Sequence, residues 1–235
     1  MDNQERASRE KVSLIFGSFC AILGGLGYLL LGFAHGDMPS EPDQALQHVA
    51  HHTNWQLIHI STIFSVFLWV VAFISLAFSI NKRASAWFLS RLSVVSIMIG
   101  VTLFAVDYSI DGYSFPALAK AYEAASPTEK EMIYGAFYAL FSELGATFPL
   151  YISFMLGLPF LLAGMAVVFS KRYPAWIGWI ATLCGLGNFI AGVTMFIDHP
   201  VVPEDMVFGG FGLLLNLWLV IIGILMWQQA RKIQV

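Results

Sequence analysis

Six runs of about 20 or more predominantly apolar residues divide this chain, each as long as a helix must be to cross the hydrocarbon core of a bilayer. They fall near 12–34, 55–80, 86–110, 147–170, 175–197 and 206–228. Membrane strands would instead alternate in polarity over roughly ten residues, and no such alternation occurs. The fold class that follows is all-α, a single polytopic bundle over 1–235 with six transmembrane helices. Composition agrees, because only 11% of the residues are charged against about a quarter in a soluble domain. Most of the surface must therefore face something other than water, which makes the lipid bilayer the first partner.

The basic residues set an orientation. Arg6, Arg9, Lys11, Lys82, Arg83, Arg91, Lys171, Arg172, Arg231 and Lys232 flank one set of span ends, and only Lys120 and Lys130 the other. Basic residues are retained on the cytoplasmic side, so both termini are expected inside. Trp87, Trp176, Trp179 and Trp227 mark the same inner boundary as an aromatic belt. The first apolar run exceeds the roughly 7–15 residues of a signal-peptide core, and is expected to be a retained span. A net charge of −3 leaves no basic surface for nucleic acid.

Inner connections are short, at 81–85 and 171–174, whereas the outer ones, 36–54, 112–146 and 200–205, are longer and acidic. Long structured connections are where binding residues concentrate. One of them carries Ser126-Pro127-Thr128-Glu129, a cap serine with proline at the first helical position and glutamate at the third. Met132, Ile133, Ala136, Phe137, Leu140 and Leu144 follow at helical spacing. This predicts an amphipathic outer helix that runs on into the fourth span, with bends at Pro149 and Pro159.

Small residues mark close helix contacts in lipid. Ser13, Gly17, Ala21 and Gly25 recur every four residues along the first span, and Ala181 and Gly185 along the fifth. Asn188 and Asn216 lie at mid-span depth, either bonded to each other or to backbone, or lining a ligand path. Cys20 and Cys184 sit in apolar runs without metal-type spacing. The intervals Cys20 to His35 and Cys184 to His199 match, which would fit a parallel duplication.

Chemistry gathers at one end. His35, His48, His51, His52, His59 and His199 all lie on the outer side, and so do all the acids except Asp2, Glu5 and Glu10. His59 stands one turn into the second span, where ionisable groups are rare and face the protein interior. Asp107 and Asp111 are four apart at the outer end of span three, on one helix face. Glu143 borders the apolar stripe of the amphipathic helix, and Asp198-His199 closes span five. His59, Asp107, Asp111, Glu143 and His199 are thus the candidate metal ligands, a mixture of imidazole and carboxylate suited to zinc or a related divalent ion. A catalytic version would activate water, with Glu143 or Asp107 as general base. His48, His51 and His52 are expected to be exposed loop residues. Haem is the rival cofactor, with His59 paired to His35 or His199.

Other classes lack their residues. No G-x-S-x-G elbow or phosphate-binding glycine loop occurs, no lysine lies within a span, and apart from Arg91 at the inner boundary no charge sits in the inner half of any span. Two further functions stay open: a non-catalytic subunit or scaffold whose outer loops dock a protein partner, and a carrier for a small amphipathic molecule.

Asp111-Gly112, Leu118-Ala119, Ala124-Ala125 and Glu129, with His35, Trp55, His59 and the Pro174–Trp179 stretch P-A-W-I-G-W, form a pattern. It resembles an uncharacterised family of small bacterial six-helix membrane proteins. The resemblance covers most of the chain. It implies six spans in a bacterial cytoplasmic (inner) membrane and brings no substrate or metal.

Overall fold

The computed structural model describes residues 3–234, so Asp2, counted above among the inner acids, lies outside the described residues. Nine α-helices are described: α1 (Asn3–His35), α2 (Pro42–His51), α3 (Trp55–Ser79), α4 (Ala84–Ser109), α5 (Phe115–Ala124), α6 (Pro127–Tyr151), α7 (Leu158–Ser170), α8 (Ala175–Phe196) and α9 (Leu213–Lys232). Wider π-helical turns occupy Ile110–Ser114, Ile152–Gly157 and Met206–Gly212. They join α4 to α5 and α6 to α7 without a break and lead into α9. Six helical stretches are long and apolar enough to cross a membrane, as expected.

Two of those stretches run furthest beyond the predicted spans. The third continues to Ala124 and the fourth begins at Pro127, so the expected 112–146 connection is almost wholly helical. The 36–54 connection likewise contains α2, started by proline at its first turn. Ser126 and Glu129 form the anticipated capping box, the Ser126 N–H donating to Glu129 Oε2 at 2.9 Å. Pro149 lies inside α6, and the wide turn at Ile152–Gly157 ends just before Pro159, whose missing N–H would otherwise bond to Met155 within that turn.

Small residues let the helices meet at backbone distance. A Cβ on Gly17 would fall 2.2 Å from Ser75 Cβ of α3, and one on Gly25 would fall 3.0 Å from the Asn216 carbonyl of α9. The α1 ladder thus faces two neighbours at once. On α8, a Cβ on Gly185 would meet the Leu161 nitrogen of α7 at 2.4 Å. The main core fills the space between with aromatic rings: Phe160 lies edge-on to Trp69, Phe73 and Trp218, at 5.8, 5.1 and 5.6 Å between centroids. Asn216 donates to the Gly212 carbonyl at 2.8 Å, whereas the fully buried Asn188 amide has no hydrogen-bond partner. The two asparagines do not bond each other.

A second, smaller core caps the bundle. Ala45, Leu46 and Val49 of α2, Phe115 and Ala119 of α5 and Phe137 of α6 pack around Trp55. Phe137, Leu140 and Leu144 supply the inward stripe of α6 together with Tyr134 and Phe141, but Met132 and Ala136, assigned to the same stripe, are exposed. The stripe is therefore shifted around α6 from the expected positions, toward Tyr134 and Phe141.

Candidate metal centre

His35 is the last residue of α1, and Gly36 turns the chain away with φ +69°. Glycine takes that left-handed conformation without steric cost, and the turn presents the Gly36 carbonyl to its neighbour's ring: His35 Nδ1 donates to it at 2.7 Å. His59, one turn into α3, donates from Nδ1 to the Trp55 carbonyl at 2.8 Å. A carbonyl can only accept, so in both rings Nδ1 carries a proton, and in a neutral ring Nε2 then keeps a lone pair.

Both Nε2 atoms turn toward one oxygen. Asp111 lies in the wide turn after α4, with its Oδ2 3.0 Å from His59 Nε2 and 3.7 Å from His35 Nε2. The shorter contact is not aligned as a hydrogen bond, and both nitrogens are buried without a hydrogen-bond partner. The Trp55 indole holds the other carboxylate oxygen, donating to Oδ1 at 3.2 Å and to the Asp111 carbonyl at 3.1 Å. Side-chain exposure is 14%, 2% and 11% for His35, His59 and Asp111. Three potential ligand atoms thus converge where solvent has little access. Only positive charge makes that stable: a proton on an imidazole, or a metal ion among all three.

The donor set fits a metal. One donor atom from each residue lies within 4.8 Å of the other two. Ligands at about 2.1 Å from a tetrahedral zinc ion stand about 3.4 Å apart, and the two distances to Oδ2 straddle that value. Second-shell hydrogen bonds from both imidazoles and to the carboxylate are the usual means of orienting metal ligands. Haem fits less well: the His35 and His59 rings are 4.8 Å apart at 56°, too close to stand on opposite faces of a macrocycle. His199, the other expected haem partner, is exposed.

Of the five residues singled out from the sequence, the structure brings His59 and Asp111 together. Asp107 is buried one turn earlier on α4, where its carboxylate accepts the Thr147 hydroxyl. Glu143 and His199 are both exposed and outside the cluster. His35 takes the place they were expected to share. His48, expected on an exposed loop, is half-buried on α2 with its ring 5.5 Å from Trp55. Burial, with His52 and His35 nearby, lowers its pKa from the ordinary value.

Gly112 makes the arrangement sterically possible. A Cβ there would fall 2.4 Å from His59 Cβ and 2.8 Å from its Cγ. Gly112→Ala is expected to displace the His59 ring and to lower stability by about 1–3 kcal/mol, the usual cost of overpacking. Thermal unfolding in detergent reads this directly, and an unchanged midpoint would show that α3 yields freely.

No family model, curated protein or solved structure matches the chain. The site therefore rests on its own geometry.

Proposed function

We propose that this is a membrane-embedded metal protein in which His35, His59 and Asp111 hold one divalent ion, zinc best matching their chemistry, near the outward-facing end of the bundle. The reading is carried by two imidazoles whose Nδ1 atoms are committed to backbone carbonyls while their buried Nε2 atoms turn on one carboxylate oxygen. Three protein ligands leave a coordination position open, the pattern of catalytic zinc sites rather than structural ones. An ion so held would polarise a bound water or carbonyl oxygen, which suits hydrolysis. Asp107, the second buried carboxylate at this end, is the candidate general base. In this reading both termini face the cytoplasm, from the asymmetry of the basic residues, and the membrane is the bacterial inner membrane that the resemblance implies.

The test is elemental analysis of detergent-purified protein after extensive dialysis. We expect near-stoichiometric zinc or a related ion in the natural protein, and almost none in His59→Ala or His35→Ala at unchanged size-exclusion behaviour. Protein that holds no metal, and takes up none when zinc is added, would assign the positive charge to a proton and remove the metal reading.

A second reading is a scaffold whose cap docks a protein partner. It is favoured by Met132 and Tyr138, which stand 67% and 54% exposed on α6. Loss of a co-purifying partner on Met132→Ser/Tyr138→Ser, with metal absent throughout, would establish it instead.

A further inference from the structure

At the opposite end of the bundle, five cations surround a pocket of about 630 Å³. They are Arg6 of α1, Lys82 and Arg83 before α4, and Lys171 and Arg172 after α7; Glu10 is the only acid in the lining. That acid is already committed, since Arg172 Nη2 pairs with it at 2.6 Å. Arg172 Nη1 also donates to the Ser79 carbonyl at 2.8 Å, and its Nε is buried without a partner. Among the described residues, Arg6, Lys82, Arg83 and Lys171 make no ion pair. The α4 N-terminus, at the pocket's edge, has no side-chain cap. Its free amides and the positive end of its dipole add to the field.

Like charges gathered in a pocket repel one another, and an anion removes that repulsion. The pocket's position selects the kind of anion. Phe78 and Phe169, each next to a lining residue, are 60% and 41% exposed, and Trp87, one turn beyond Arg83, is 46% exposed. These rings belong at the boundary between headgroups and hydrocarbon. We infer that the pocket binds the phosphate headgroup of an anionic phospholipid, whose acyl chains lie down the exposed aromatic faces of α3 and α7. The site is independent of the metal centre.

Native mass spectrometry of delipidated protein in neutral detergent tests this, with phosphatidylglycerol and phosphatidylcholine of identical chains as probes. Phosphatidylglycerol should be retained in preference. Arg6→Gln/Lys82→Gln/Lys171→Gln should weaken its retention by roughly tenfold or more, from the contribution of each basic residue near an anionic headgroup. These side chains are exposed, so their loss should leave the fold intact. Arg9→Gln/Arg231→Gln/Lys232→Gln removes the same charge outside the pocket and should have little effect. Equal losses in the two triple variants would reduce the effect to diffuse surface charge and overturn the site. Absence of headgroup preference would do the same. Displacement of the lipid by inorganic phosphate would reassign the pocket to free phosphate.

Discussion

Asp111→Asn protein is expected to bind zinc at least roughly a hundredfold more weakly than the natural protein. Loss of a residue one shell beyond the metal already costs about 10–100-fold, and Asp111 is a proposed ligand and, among the described residues, the only carboxylate that meets both imidazoles. The amide keeps the size and shape of the side chain and can still accept from the Trp55 indole, so the wide turn should survive. Only the negative charge is lost. Competition with a chelating zinc dye measures the change, and an affinity within about twofold would exclude Asp111 as a ligand. The natural protein should also release metal on acidification, because neutral imidazoles are required and protons compete for Nε2. Metal retention that does not change with pH would point to other ligands.

The second large effect lies in the packing. A Cβ on Gly100 would fall 2.2 Å from the Phe154 oxygen, 2.3 Å from its carbonyl carbon and 2.4 Å from the Met155 nitrogen. All three are backbone atoms of the Ile152–Gly157 turn, so no side chain can rotate away. Gly100→Ala must push α4 off that turn and should lower stability by the upper part of the roughly 1–3 kcal/mol range of overpacking. Gly135 on α6 is the control, since a Cβ there would meet nothing within 4 Å. Gly135→Ala should be neutral or stabilising by up to about 1 kcal/mol through helix propensity alone. Denaturation with a strong detergent, followed by circular dichroism, compares the two. Similar shifts would mean that the α4 contact tolerates more space than its geometry suggests.

The spans were legible because hydropathy is a local property, and so was the capping box, which needs only Ser126 and Glu129 at the right spacing. Helix α2 could have been read too: Pro42 followed by Asp43 is a first-turn signal, obscured by the polarity of its surroundings. The candidate metal centre was half legible. His59 and Asp111 stood out as ionisable groups at the apolar boundary, but their company depends on which helices touch. His35 joins them because the α1 ladder fixes α1 against α3, and the Gly36 turn then aims its ring; neither distance is written in the spacing. Glu143 looked suitable because a helical wheel cannot say which flank of α6 will be covered. The wide turn at Ile110–Ser114 had no sequence sign, and it determines where the Asp111 carboxylate points.

That turn also has a meaning for descent. A π-helical turn is an α-helix carrying one residue more than its length requires, and such turns gather at functional sites. Removing a single residue from 110–114 would return the segment to ordinary helix and leave the packing on either side in register. It would also shift Asp111 relative to both imidazoles. A relative with a one-residue gap there would retain the helical bundle but lose the geometry of the proposed carboxylate ligand, so alignment length at this turn tests whether the proposed site is kept.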